Sequence, residues 1–131
     1  MSDPLDVTGH WDGIFSYPRG LPPNHFTAEL REENGRVIGE TREPSDSPFD
    51  EASELQALLE GTRSGAAISF TKFYDSARRI KPVAYRGTLS PDGDEISGAW
   101  TIHGDWSGPF LMTRLSNKAA ARTRGTAETV R

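Results

Sequence analysis

The chain has 131 residues, a formal net charge of −4, 34% hydrophobic residues and no cysteine. Its length suits one domain, and the lack of cysteine excludes disulfides, thiolate catalysis and Cys-based metal sites. Lys118, Arg122, Arg124 and Arg131 against Glu128 give residues 116–131 a charge of +3, which leaves −7 for the body. An acidic body argues against a nucleic-acid surface.

The first residues, Met1 to Asp6, are acidic and hold no apolar h-region. No apolar run approaches membrane-spanning length. A cytoplasmic location, with no nucleic-acid and no membrane partner, is the expectation.

In chain order, alternation predicts a first strand from Gly9 to Tyr17, with Trp11, Gly13, Phe15 and Tyr17 on one face. A Pro-rich loop follows. The second strand, His25 to Glu32, alternates Phe26, Ala28 and Leu30 against Thr27, Glu29 and Arg31. Asn34-Gly35 then supplies the strongest short hairpin signal. The third strand runs from Arg36 to Glu43. The polar stretch after it, Pro44 to Ser53, is expected to cover one mouth as a lid.

Leu55 to Arg63 forms the fourth strand. Its Glu54–Glu60 portion carries helix-favouring residues, but seven residues make a poor isolated helix. The fifth strand, Ala66 to Tyr74, puts Ile68, Phe70, Lys72 and Tyr74 on one face. The sixth, Pro82 to Leu89, does the same with Val83, Tyr85, Gly87 and Leu89. Ser90-Pro91-Asp92-Gly93-Asp94 is a plain turn. The seventh strand is Glu95 to His103 and the eighth Trp106 to Leu115.

Eight short strands joined in sequence predict an all-β fold, an eight-stranded antiparallel up-and-down β-barrel in which closure removes the edges. Residues 1–8 are then an N-terminal extension, 9–115 the barrel and 116–131 a disordered tail. Mid-strand Gly39, Gly61, Gly87 and Gly98 suit close approach in a small barrel. Such a barrel holds packed side chains or one small ligand.

Four local patterns resemble the avidin and streptavidin family, and more broadly the calycin barrels that include lipocalins. They are Gly9-His10-Trp11, Val37-Ile38-Gly39-Glu40-Thr41, Leu59-Glu60-Gly61 with Ile96-Ser97-Gly98-Ala99-Trp100, and Met112-Thr113-Arg114-Leu115. The resemblance implies the barrel and, through wall contacts, a homodimer or homotetramer. It also implies that Trp11 closes one end under the basic side chain of Arg114. The family's biotin-binding positions are not retained. They fall at Gly13, Tyr17, Thr41 and Phe110, and the fifth strand has Phe70, Thr71 and Lys72 where a Trp is expected. Only the seventh-strand Trp is kept, as Trp100. Lost partners leave a ligand's buried polar groups unpaired at about 1–3 kcal/mol each, so biotin is not the expected ligand.

The candidate ligand-binding residues are Phe15, Tyr17, Thr41, Phe70, Lys72, Tyr74, Tyr85, Trp100 and Phe110, an aromatic lining with hydroxyls to orient a small molecule. An inward Lys72 needs an anionic partner, either a ligand or Glu40. Asp12, Glu29, Glu40, Glu43, Glu60 and Asp105 are expected mostly on the outer face, with Arg31, Arg42, Arg63 and Arg86. His10, His25 and His103 share no metal-ligand spacing, and no cofactor is implied. The expectation is a non-enzymatic barrel binding a small, partly apolar molecule. Two alternatives are an enzyme using Lys72, Tyr85 or a histidine as acid or base, and a self-associating scaffold with a filled interior.

Overall fold

The computed structural model describes residues 5–17, 23–44, 54–74, 81–102 and 106–115. Its strands are β1 (Gly9–Phe15), β2 (Asn24–Glu33), β3 (Arg36–Pro44), β4 (Glu54–Ser64), β5 (Ala67–Tyr74), β6 (Val83–Leu89), β7 (Glu95–Ile102) and β8 (Trp106–Arg114). They form one closed antiparallel barrel in sequence order. Closure is made by β1 on β8, from Trp11 opposite Arg114 to Phe15 opposite Phe110. The predicted tail, 116–131, lies outside the described residues.

Alternation decides which side chains enter. On β1 Trp11 and Phe15 are buried while His10 and Asp12 are exposed; on β2 Phe26, Ala28 and Leu30 are buried while Thr27, Glu29 and Arg31 are exposed. A closed sheet has a single dry side, so each strand needs only every second residue to be apolar. This is how a chain with 34% hydrophobic residues fills a core.

β4 is a strand through the whole of its helix-favouring stretch, because it is paired along both edges, with β3 and with β5. Cross-strand pairing overrides the weak helical preference of Glu, Leu and Gln.

The two ends of the barrel are built differently. At one end, the turn end, β2–β3, β4–β5 and β6–β7 are joined tightly. Asn34 and Gly35 both have positive φ, 53° and 84°, as a two-residue hairpin whose twist matches its strands requires. At the other, the loop end, β1–β2, β3–β4, β5–β6 and β7–β8 are connected through residues 18–22, 45–53, 75–80 and 103–105, which lie outside the described residues. Pro44, expected to begin the lid, instead ends β3 opposite Glu54; the rest of that stretch is not described.

The turn end is plugged. Val7 and Trp11 are buried there, with Leu5 packed against the core. The Trp11 indole N–H donates to the Val7 carbonyl at 2.9 Å, and the Arg114 guanidinium lies 4.6 Å from the Trp11 ring centroid. Arg114 also donates to the carbonyls of Asp6 (2.8 Å), Thr8 (2.9 Å) and Gly93 (2.9 and 3.1 Å). One side chain thus ties the incoming chain, the β6–β7 turn and the last strand together. Burial holds its pKa below the usual arginine value, against the pull of Asp94 and Asp6.

Arg63 was expected on the outer face. Instead its side chain is buried beside Glu32, with Nε donating to the Glu32 carboxylate at 2.7 Å. The same carboxylate accepts the Val7 amide at 3.1 Å. The reason is positional: Arg63 has reached the rim of the barrel, where an inward side chain can bend back over the end.

Candidate functional site

All nine candidate residues, Phe15, Tyr17, Thr41, Phe70, Lys72, Tyr74, Tyr85, Trp100 and Phe110, belong to the inward-facing set, buried or partly buried. They form two layers. In the middle of the barrel Phe70 stacks on Tyr85 at 5.1 Å, and Phe110 meets the Tyr85 ring edge-on at 4.9 Å. Toward the loop end, Phe15, Tyr17 and Trp100 make mutual edge-on contacts at 5.6–6.3 Å, and Trp106 joins Tyr17 at 5.9 Å. The Trp100 indole N–H donates to the Ser16 carbonyl at 2.9 Å, which fixes that ring. Asn24 donates to the Tyr17 hydroxyl at 3.2 Å.

Between these layers sits a charge. Lys72 is 1% exposed, and its ammonium lies 4.8 Å from the ring centroids of both Phe15 and Phe26. Tyr74 and Tyr85 stand at 5.1 and 5.4 Å. Its partner is Glu43, 3.1 Å from Nζ, not Glu40. Glu40 is exposed, because it stands on the opposite face of β3; Glu43 shares the inner face with Val37 and Thr41. The expectation that Glu43 points outward is therefore corrected by its own strand's period. Tyr74 completes the group, its hydroxyl donating to the same Glu43 oxygen at 2.9 Å.

Burial pushes the Lys72 pKa down, and the Glu43 carboxylate partly restores it. Burial first, and Glu43 second, push the Tyr74 and Tyr85 phenols far above the ordinary tyrosine value. Both tyrosines stay protonated donors across any ordinary pH.

Thr41 adds a second polar feature. It is 1% exposed and its hydroxyl has no hydrogen-bond partner. Register explains the isolation. Trp11, Ala28, Thr41, Ala57 and Tyr74 stand opposite one another across β1 to β5, so the hydroxyl is flanked by two methyl side chains. Nearby Gly13 leaves room for the Phe26 ring, which a Cβ there would overlap.

Phe26, Glu43 and Trp106 are the site residues not among the candidates. All three were within reach of the alternation: Phe26 is in phase with Ala28, Glu43 with Thr41, and Trp106 with Phe110. His10 and His25 stand exposed on the outer wall, and His103 and Asp105 lie outside the described residues. Among the described residues no cluster of three His, Asp or Glu side chains could hold a metal. A groove of about 550 Å³ runs along the outside, between Asp12, Ile14, His25, Arg42, Glu54 and Leu111.

Comparison with known proteins agrees with this architecture. The chain is similar to a solved de novo designed β-barrel that is described as fluorescence-activating. The TM-score is 0.61 at 14% sequence identity, over 87% of this chain and 99% of that one. At that identity the likeness shows the fold alone. No protein-family model matches the chain, and no curated protein matches it.

Proposed function

We propose that this protein is a non-enzymatic barrel that binds a small, partly apolar molecule at its loop end, against the Phe15, Tyr17, Trp100 and Trp106 rings and above Lys72, Glu43 and Tyr74. One observation carries the reading: a charged trio and an unpaired Thr41 hydroxyl are kept inside a barrel that apolar side chains would fill. A buried ion pair is often replaceable by apolar residues with no loss, or a gain of about 1–4 kcal/mol. The trio's described hydrogen bonds run among its own members, so it ties no backbone together. Polar groups with no structural duty, beside aromatic walls, suit recognition of a ligand's polar end.

Kinship with avidin-like or other calycin barrels fits the fold and the short motifs. The replaced positions at Gly13, Thr41 and Phe110 speak against biotin. The designed neighbour's fluorescence-activating role is compatible with the same architecture holding a dye.

The test is a titration of the neutral dye Nile red, with native mass spectrometry of freshly purified protein to detect a retained ligand. Saturable one-to-one enhancement, weakened in Trp106→Ala and unchanged in a turn-end variant such as Val37→Ala, supports the reading. Enhancement that does not saturate, or that ignores Trp106, sinks it.

One observation favours a second reading, a self-associating scaffold. Leu58 and Phe73 face each other across β4 and β5 on the outer wall and are 53% and 43% exposed. Paired apolar side chains left in water mark contact surfaces. The same native spectra would report a dimer or tetramer.

A further inference from the structure

Lys72, Glu43 and Tyr74 are arranged for more than a hydrogen bond to a ligand. Resting on the reading that the loop end takes a ligand, we infer that Lys72 captures small aromatic or aliphatic aldehydes as a reversible imine, with Glu43 as its proton shuttle and counter-ion.

The argument begins with position. Lys72 Nζ lies inside the aromatic ring of Phe15, Phe26, Tyr74 and Tyr85, so an apolar carbonyl compound entering there meets the amine among surfaces that match it. The titratable groups facing Lys72 come from three directions: Glu43 on β3, Tyr74 on its own strand and Tyr85 on β6. Glu43 is the one carboxylate within hydrogen-bond reach among the described residues, at 3.1 Å. A base at that distance can take the proton that otherwise blocks the nitrogen lone pair.

The step balances without a co-reactant. Glu43 accepts a proton from the Lys72 ammonium. The freed lone pair adds to the carbonyl carbon, and the C=O π pair moves to oxygen. A proton passes from the new ammonium to that oxygen, giving a carbinolamine. Glu43 returns its proton to the hydroxyl, the C–O bond breaks and water leaves, and the nitrogen pair closes the C=N bond. Aldehyde and ammonium have become iminium and water, and the Glu43 carboxylate again faces one positive charge.

Two further observations fit. Desolvation holds the Lys72 ammonium below its ordinary range, which raises the share of neutral amine at neutral pH. The unpartnered, buried Thr41 hydroxyl stands two residues from Glu43 on the same face of β3. Glu43 and Tyr74 supply a proton shuttle and a fixed donor beside one amine.

The chain has three lysines, Lys72, Lys81 and Lys118, so the test needs few assignments. Folded protein is incubated with benzaldehyde at neutral pH, reduced with sodium cyanoborohydride and mapped by peptide mass spectrometry. The expected result is one benzyl addition at Lys72, at least about tenfold faster than at exposed Lys81 and losing that advantage in urea, as a positioned proton shuttle predicts. Lys72→Arg should remove the addition. Glu43→Gln should slow it about tenfold or more. Because that variant can lose stability, the contrast between Lys72 and Lys81 in the unmodified protein decides the matter by itself. Addition confined to Lys81, Lys118 and the amino terminus, with saturable Nile red binding intact, overturns the imine and leaves the binding reading standing. Absence of both overturns both.

Discussion

The two ends of this barrel use buried charge in opposite ways. At the turn end, Arg114 reaches three backbone carbonyls, and Glu32 accepts a backbone amide as well as Arg63. Those charges hold chain segments that are distant in sequence. At the loop end, Lys72, Glu43 and Tyr74 are as deeply placed, yet their described bonds are to one another. Burial costs a charge several kcal/mol in either place. Where the group secures backbone, that cost has a structural return. Where it does not, the proposed ligand is what would give that cost a return.

Removing the plug should have the largest effect. Trp11→Ala empties the turn end beneath Arg114 and strands the Val7 carbonyl; a loss of about 3–5 kcal/mol is expected, read as a lowered urea midpoint. A loss under about 1 kcal/mol would mean that the turn end is not an anchor.

The trio tests the other half. Glu43→Leu alone leaves Lys72 uncompensated and should cost about 3–5 kcal/mol. The double variant Glu43→Leu/Lys72→Met should recover most of that, ending near the starting stability. If the double variant is as unstable as the single, the trio is structural and the contrast between the ends fails.

Alkaline pH should act next. Tyr74 and Tyr85 have folded pKa values raised above their unfolded value near 10. Above that pH the unfolded chain sheds protons that the folded protein keeps, so stability falls by up to about 1.4 kcal/mol per pH unit for each tyrosine. Lys72 works in the opposite sense. Its folded pKa is lowered from 10.5, so it favours folding as pH rises between its folded value and 10.5, and adds no slope above that. Unfolding midpoints from pH 9 to 12 should therefore decline beyond about pH 10. Tyr74→Phe should shed about half of that slope; an unchanged slope would contradict the burial of its phenol.

The smallest effect belongs to Thr41→Val. The hydroxyl has no partner, so its loss should change stability by less than about 1 kcal/mol, toward stabilisation. The same substitution should weaken Nile red or benzaldehyde capture if the hydroxyl serves a ligand. A large loss of stability would reveal a structural bond.

The fold was legible because a barrel wall is written in period two. Asn34-Gly35 and Ser90 to Asp94 marked two turns, and every strand lay within a few residues of its expected place. The same period put Phe15, Phe70, Lys72, Tyr85 and Trp100 on one interior. It also contained Glu43, in phase with Thr41, but carboxylates are so often solvated that composition pointed outward. Arg63 misled for the same reason: it is in phase with Ala57 and Leu59 on β4, but composition pointed it outward.

Sequence alone thus determined the strands, the inward set and the closure of the sheet, because alternation and turn chemistry act between near neighbours. Which inward groups meet was decided by shear and register around the closed cylinder, which bring β3 and β5 to the same depth. Only that long-range geometry pairs Lys72 with Glu43 and leaves the Thr41 hydroxyl facing methyl groups.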